Sequence, residues 1–147
     1  MTRASLAPAL VVALAWATTV AAYEAIRTPT THYHYDVALA ALEEQAYARA
    51  IDNLKLVVRD EPRNADAHDW LGHAYAALAQ RDLARRHLRE ALRLDPRHAR
   101  AHLHLGELQL AENDVKRARE TLARLRGVCG GACEEVLSLE RALERRP

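Results

Sequence analysis

The sequence predicts an all-α protein built from repeated helix pairs, and two observations carry this prediction. First, the 147 residues are rich in Ala, Leu and Arg, and they include only five Gly, five Pro and no Phe. Strong helix formers with few breakers, and few β-branched or aromatic runs, favour helices over strands. Second, the chain repeats at a period of 34 residues, which is long enough for two antiparallel helices with their turns. We expect one domain with a substantial core.

Residues 1–22 are predicted to be a secretory signal peptide. Arg3 supplies a positive start, the segment 4–23 carries no charge, residues 6–16 are apolar, and residues 20–22 are small enough for a signal peptidase. An uncleaved anchor helix is the alternative, because about 20 apolar residues can span a bilayer. We therefore expect an exported protein of the bacterial periplasm, in which residues 23–30 form a linker that contains Pro29.

The charge of the chain argues against a nucleic-acid partner. Without the predicted signal peptide the chain has 20 basic and 20 acidic residues, whereas a nucleic-acid binder needs a basic surplus to meet phosphates. The charge is unevenly spread: residues 23–80 carry 5 basic and 9 acidic groups, and residues 81–147 carry 15 and 11. We expect an acidic first half and a basic second half.

Six sets of residues recur at the 34-residue spacing. Each repeat is expected to be a helix pair that cannot bury its apolar faces alone, so that successive pairs stack. The small residues suit places where two helices cross closely, the Leu side chains fill the space beside them, and a Pro ends the second helix. The sets are Pro62 and Pro96; Leu71 and Leu105; Gly72 and Gly106; Ala50, Ala84 and Ala118; Leu54, Leu88 and Leu122; and His34, His68 and His102.

The middle repeat carries a recognisable pattern. It reads His68-x-x-Leu71-Gly72-x-x-Tyr75, then Ala84-x-x-x-Leu88, then Pro96. This pattern resembles the tetratricopeptide repeat, with His and Leu where that family often has Trp and Phe. The first unit has Val37-Ala38 in place of Leu-Gly, and the third has no closing Pro. The resemblance implies a right-handed α-solenoid of three tetratricopeptide units, residues 31–64, 65–98 and 99–132.

A seventh helix is predicted after the three units. Residues 133–147 are expected to cap the last open face, which a solenoid has to cover, and they place Val136, Leu139 and Leu143 on one helix face. A loop with Gly127, Gly130 and Gly131 is expected before this cap. The predicted helices lie near 33–44, 47–59, 65–78, 82–93, 99–111, 115–126 and 133–145.

The tetratricopeptide resemblance implies a concave groove that binds a protein or peptide partner, whose identity the sequence does not give. Trp70 is the only Trp after residue 16. It can serve as a peptide anchor beside Asp69 and His73, or it can pack against a neighbouring helix and bind nothing. The groove positions carried over from the family are Tyr35, Leu39, Leu42, Asp66, Asp69, Trp70, His73, Ala77, Leu103, His104, Glu107 and Leu110.

A stripe of arginines follows one helix at a spacing of four residues. Its members are Arg81, Arg85, Arg89 and Arg93. The stripe can contact an anionic partner such as lipid headgroups, acidic glycans or an acidic protein, or it can be a solvated convex face. Membrane contact is expected only through this stripe or an uncleaved N-terminal segment.

Cys129 and Cys133 are separated by Gly-Gly-Ala in a chain predicted to be exported. Oxidising compartments favour disulfides, so we expect a short structural clip that holds the cap helix. Thiol-redox or Cu(I) chemistry is the alternative, although the spacing does not match a CxxC motif. The Cys loop followed by Glu134-Glu135 also resembles small exported bacterial repeat proteins, a similarity that names no activity.

Eight His residues invite a metal hypothesis, and His98 and His102 can share one helix face. Three of the eight occupy one repeat position, however, which favours a shared packing role, and the sequence places no third ligand. We predict no metal, no cofactor and no enzymatic activity, because the chain has no GxSxG, phosphate loop or HExxH motif. A small metal-binding or thiol-redox protein that uses Cys129, Cys133 and His residues is the alternative function.

Overall fold

A computed structural model describes residues 29–145, and side chains from residue 31 onward. This part of the chain consists of seven helices without a strand, which confirms the predicted all-α class. The predicted signal peptide 1–22 and most of the predicted linker 23–30 lie outside the described residues. The helices are α1 Pro29–Glu43, α2 Tyr47–Asp60, α3 Ala65–Ala77, α4 Arg81–Leu94, α5 Ala99–Ala111, α6 Val115–Cys129 and α7 Glu134–Glu144.

The helices form three antiparallel pairs and a final single helix. Within the pairs α1 packs on α2, α3 on α4 and α5 on α6, while α3 also contacts α5 directly and α7 contacts both α5 and α6. The first helices of successive pairs, α3 and α5, therefore share a face, and the second helices form the outer side of the stack.

The turn within each pair follows the same 34-residue period as the helices. Gln45, Ala79 and Asn113 have positive φ angles of 57°, 57° and 61°, a left-handed conformation that is uncommon outside Gly. The residue after each of them donates a backbone hydrogen bond across the turn, at 2.8 Å, 2.9 Å and 2.8 Å. The same backbone geometry is therefore built three times from different side chains.

The turn between pairs is fixed by polar caps. Asn64 accepts a hydrogen bond from the backbone N–H of Ala67 at 2.9 Å, and His98 accepts one from Ala101 at 3.2 Å. Such caps satisfy N–H groups that have no partner inside the helix.

Two glycines lie where helices pack tightly against each other, as their recurrence in the sequence suggested. A Cβ on Gly72 would lie 2.7 Å from Leu88 Cδ2 and 3.2 Å from the Leu88 backbone nitrogen. A Cβ on Gly106 would lie 2.6 Å from Cδ2 of Leu139 in α7. Glycine therefore lets α3 approach α4, and it lets α5 approach the final helix.

The core has two parts. Buried side chains of the first two pairs, such as Leu54, Leu71 and Leu88, form one cluster that extends to α5. A second cluster joins α6 to α7 through Leu122, Leu125 and Leu139. Helix α7 thus covers the end of the stack, in the position predicted for a cap.

Two predicted boundaries differ from the structure by more than one residue. Helix α1 begins at Pro29 rather than at residue 33, since Pro is well tolerated at the first helical position. Gly127 lies inside α6 rather than in a loop, and the helix continues to Cys129, followed by Gly130 at φ 73°.

The Cys129 and Cys133 sulfur atoms lie 2.04 Å apart, with Cα atoms separated by 5.9 Å. This geometry is compatible with the predicted clip between α6 and α7. Across residues 29–145, no helix combines the length and the apolar character needed to cross a bilayer.

Candidate functional site

The seam between α3 and α5 holds a dense group of aromatic and charged side chains, which we call the Trp70 cluster. Each member comes from the face that these two helices turn toward each other, so stacking of the second repeat on the third creates the group. The members are Asp66, Asp69, Trp70, His73, Arg100 and His104.

Asp69 is the electrostatic centre of the Trp70 cluster. Its side chain is fully buried, and it accepts hydrogen bonds from His104 Nδ1 at 2.8 Å and from Arg100 Nε at 2.5 Å. Burial alone would raise the pKa of Asp69, but these bonds and charges hold it below the ordinary value. A fully paired carboxylate of this kind orients its partners, and it presents no free oxygen to a ligand.

Arg100 joins the two helices from the other side. Its Nη2 donates to Asp66 Oδ1 at 2.5 Å, and its guanidinium carbon lies 4.1 Å from the centre of the Trp70 ring, a cation–π geometry. Burial alone would lower the pKa of Arg100, but the two carboxylates raise it. Arg100 therefore fixes the Trp70 ring at the groove surface and carries its charge permanently.

His73 and His104 extend the Trp70 cluster along the seam. Their ring centroids are 4.5 Å apart, and the Trp70 ring lies 5.9 Å from His73 and 5.7 Å from His104. Burial lowers the pKa of His73 to about 4, with further contributions from the neighbouring His104 and Arg100. His73 is therefore neutral near pH 7.

A small hollow opens beside this cluster, and we call it the seam hollow. It has a volume of about 260 Å³ and a mostly aliphatic floor that includes Ala76, Ala77 and Leu108. His73, His104 and Glu107 lie on its walls, and Arg81 lies at its end. Partial desolvation raises the pKa of the Glu107 carboxylate, while His104 opposes the shift.

A second hollow of about 200 Å³ lies near the start of α1 and α3. Tyr35 and Asp66 line it together with Thr31, His32 and Asn64. Burial and the nearby Asp66 raise the pKa of Tyr35, whereas a hydrogen bond with Trp70 lowers it in part. Tyr35 therefore links this second hollow to the Trp70 cluster.

The structure divides the groove residues predicted from the sequence into two groups. Trp70 is half-buried, so its ring both packs against the first core cluster and reaches the surface. Tyr35, Leu39, Leu42, His73 and Leu103 are also half-buried, and Asp66, Ala77 and Glu107 are exposed. Asp69, His104 and Leu110 are buried instead, because they form the contact between adjacent helices and not the surface that a partner touches.

Sequence reasoning missed Arg100. Arg100 occupies the same repeat position as Asp66, 34 residues later, and it also pairs with Asp69. The available signal was a charge reversal at an equivalent position of adjacent repeats, which indicates an ion pair where the repeats stack.

The three histidines at one repeat position have packing partners, with one difference. His34 Nδ1 bonds Asn53 Oδ1 at 2.9 Å, and His68 Nδ1 bonds His87 Nδ1 at 3.1 Å, both 19 residues further along. His102 donates from Nε2 to the Pro96 carbonyl at 3.1 Å, while its buried Nδ1 has no partner in the described structure. Over the same residues, His, Cys, Asp and Glu form no group of three arranged to hold a metal ion.

A comparison with protein families places residues 79–128 in the family described as tetratricopeptide repeat. The matched segment contains α4, α5 and most of α6. Among curated proteins, the chain is 40% identical over 62 residues to the DnaJ protein P58IPK homolog B of Oryza sativa subsp. japonica, a match that covers 42% of this chain and 13% of that protein. The chain spans between 6% and 13% of the length of the first curated relatives it matches.

Solved structures share the fold of this chain over more of its length. The TPR2B domain of yeast Sti1, in a complex with pHsp70, superposes with a TM-score of 0.72 at 18% identity, covering 80% of this chain and 98% of that one. The first TPR of Spaghetti (RPAP3), bound to the HSP90 peptide SRMEEVD, gives 0.70 at 16% identity, covering 79% and 94%. Residues 79–128 therefore match the tetratricopeptide family, and the described helices share the α-solenoid fold of these solved domains.

Proposed function

We propose that this protein is an exported scaffold that binds a partner protein or peptide along the α3–α5 face. The observation that carries the proposal is the half-buried Trp70 ring, held between Arg100 and the two histidines beside an open hollow. An aromatic ring fixed before binding loses little conformational freedom when a partner packs on it.

The chemistry of the seam hollow favours an extended peptide or a helix end over a small metabolite. Its alanine-rich floor has room for a short apolar side chain, while Glu107 and Arg81 at its walls can pair with polar groups that flank that side chain. The structural neighbours support this class of partner, because the Sti1 and Spaghetti domains are in complex with pHsp70 and with an HSP90 peptide respectively.

Site-specific photo-cross-linking tests the position of the binding face. A photoreactive phenylalanine analogue replaces Ala77, which is exposed in the seam hollow, and separately replaces Asp52, which is exposed on α2. The proposal predicts one discrete adduct in living cells from position 77 and none from position 52. The same adduct from position 52, without one from position 77, would place the binding surface elsewhere.

The export part of the proposal rests on the uncharged apolar segment before Glu24 and on the closely spaced Cys129 and Cys133 in the sequence. Intact-mass analysis of the protein from its own cell envelope tests it. A mass for residues 23–147 less two hydrogens supports export with an oxidised clip. A full-length mass with free thiols in the cytosolic fraction contradicts it.

A further inference from the structure

A groove distinct from both hollows described above lies on the outer side of the stack, between α4 and α6. It has a volume of about 410 Å³ and runs over α5 as its floor. It shares only Leu108 with the seam hollow. We call it the outer groove, and the lining residues on which the argument depends are Arg89, Leu108, Gln109, Glu112, Thr121 and Arg124.

Comparison with the residues 34 positions earlier shows that the outer groove lacks two aromatic rings that are present in the preceding repeat. Its equivalent one repeat earlier, between α2 and α4, contains Tyr75 and His87 at the positions of Gln109 and Thr121. The Tyr75 and His87 rings stack with centroids 5.5 Å apart, and Tyr75 is buried. In the third repeat Thr121 Oγ1 instead donates to Gln109 Oε1 at 2.8 Å, so two stacked rings are replaced by two smaller side chains. Leu108 replaces Ala74 and provides an apolar floor.

The buried Nδ1 atom of His102 lacks a hydrogen-bond partner because of the same replacement of His87 by Thr121. In the second repeat, His68 uses Nε2 to donate to the Pro62 carbonyl, so its Nδ1 accepts a hydrogen bond from His87. In the third repeat His102 makes the same bond to Pro96, but its Nδ1 has no partner, although His102 is only 7% exposed. The ring that would satisfy this nitrogen is the one replaced by Thr121.

The walls of the outer groove carry several charged side chains. Five arginines and two glutamates line it. Arg85 pairs with Asp82 and Glu112, Arg93 pairs with Glu90, and Arg117 pairs with Asp114. Over residues 29–145, Arg89 and Arg124 make no ion pair, and they lie on opposite walls, on α4 and α6. Two exposed guanidinium groups therefore line the groove without an ion-pair partner among the described residues.

We propose that the outer groove binds an acidic segment of a partner protein, in which one aromatic side chain is flanked by Asp or Glu. The aromatic side chain takes the space that Tyr75 and His87 fill in the preceding repeat, and the flanking carboxylates pair with Arg89 and Arg124. Glu112 and Glu120 in the same lining repel a dense polyanion, which favours an acidic peptide over a phosphate-rich surface.

Fluorescence anisotropy with defined probes tests this proposal. The probe is a short amidated peptide with one Trp that has a single Asp or Glu on each side, labelled with fluorescein. Companion peptides replace the Trp by Ala, or the acidic residues by Asn and Gln. Vesicles of phosphatidylserine and free inositol hexakisphosphate are the competing anions. We expect the Trp peptide to bind about tenfold tighter than either companion and to weaken as salt rises.

Three variants separate the outer groove from general surface charge. Gln109→Tyr with Thr121→His installs the rings of the preceding repeat, which fills the groove and supplies the missing partner of His102. Arg89→Glu with Arg124→Glu reverses the two unpaired charges. Arg119→Glu is the matched control, since Arg119 is exposed on α6 but does not line the groove. Thermal unfolding confirms that each variant is folded.

The proposal predicts that the filled variant and the charge-reversed variant each weaken peptide binding by about tenfold, while the control changes it less than twofold. It is overturned if the filled variant binds as well as the original protein, or if the anionic vesicles bind and the peptide does not. It is also overturned if sedimentation shows a dimer that the filled variant abolishes, because the groove then belongs to a contact between copies of this chain.

Discussion

At the scale of single residues, position within the repeat does not fix chemical role. Asp66 and Arg100 occupy one repeat position and form an ion pair at 2.5 Å. His68 and His102 occupy another, yet only His68 has a side-chain partner on its Nδ1. The Asp66–Arg100 pair forms where adjacent repeats stack, whereas His68 and His102 differ because the second helix of their own repeat carries His87 in one case and Thr121 in the other. The role of a side chain therefore depends on the residues that pack against it, and the repeat position alone does not determine it.

The first residue-scale prediction concerns Arg100. Arg100→Ala should lower the free energy of unfolding by about 2 to 3 kcal/mol, because it leaves the buried Asp69 carboxylate with one partner of two. Asp66→Asn is the matched control and should cost less than about 1 kcal/mol, since Asp66 is exposed. Urea unfolding measures both variants. Equal costs for the two would contradict the central role given to Asp69.

The second residue-scale prediction concerns pH. Burial lowers the pKa of His87 to about 4, with the neighbouring His68 and Arg86 adding to the shift, and His73 is lowered to about 4 as well. A folded pKa below the unfolded value of about 6.5 means that protons bind more tightly to the unfolded chain. Stability is therefore fully present above about pH 6.5 and is lost as the pH falls toward 4.

We expect each of these two histidines to contribute a loss of about 1 kcal/mol between pH 7 and pH 5, after allowance for partial exposure. Urea unfolding at the two pH values measures the loss. His87→Asn copies the first repeat, where Asn53 bonds His34, and it should reduce the loss by about half. A stability that does not change between pH 7 and pH 5 would show that both side chains are well solvated.

At the scale of helices, the distance between neighbouring helices decides whether a glycine tolerates substitution by a larger residue. Gly72→Ala adds a methyl that meets both the Leu88 side chain and the Leu88 backbone nitrogen. Gly127→Ala, also in a helix, adds one that meets nothing within 4 Å. Alanine is intrinsically favoured over glycine in helices by about 1 kcal/mol, so the two substitutions should act in opposite directions.

We predict that Gly72→Ala destabilises the protein by about 1 to 3 kcal/mol despite its better helix propensity. Gly127→Ala should instead stabilise it by about 0.5 to 1 kcal/mol. Thermal unfolding of the two single variants measures the difference. A stabilising Gly72→Ala would mean that α3 and α4 are not as close as described.

The sequence allowed most of the helices to be placed, and the exceptions have physical causes. The start of α3 and both ends of α5 match because Pro62, Pro96 and the repeat period mark them clearly. The sequence predicts Pro29 in a linker because proline breaks a helix everywhere except in its first turn. It predicts Gly127 in a loop because glycine composition alone does not distinguish a helix interior from a turn.

The candidate site was predicted only in part for a related reason. Half-buried Trp70, half-buried His73 and exposed Glu107 lie on the α3–α5 face, and they line the seam hollow or lie next to it. Asp69 and His104 are buried because they contact each other across the seam. Arg100 was missed because its partners lie 31 and 34 residues earlier. A family pattern assigns positions within one repeat, whereas burial depends on the next repeat.

At the scale of the whole molecule, the last helix closes the stack. Val136 and Leu139 are fully buried against α6 and α5. Leu139→Ala should lower the free energy of unfolding by about 2 to 4 kcal/mol through lost burial and the cavity that it leaves.

The double variant Cys129→Ser with Cys133→Ser should lower the free energy of unfolding by no more than about 2 kcal/mol, because the loop that a disulfide would close here is very short. Chemical denaturation measures the free energy of unfolding of the Leu139 variant and of the Cys variant. A larger decrease for the Cys variant would mean that the disulfide, and not apolar packing, holds α7 in place.

The central claim is that a partner packs against the α3–α5 face, and Trp70 provides a direct measurement of it. Trp70 is the only Trp outside the predicted signal peptide, so its emission in the cleaved protein reports on this face alone. The measurement is a titration with the partner recovered by cross-linking from position 77. We predict a saturable change in Trp70 emission and binding that Glu107→Lys weakens about tenfold, while Arg119→Glu leaves both unchanged. Tight binding that leaves Trp70 emission unchanged and is unaffected by Glu107→Lys would contradict the claim.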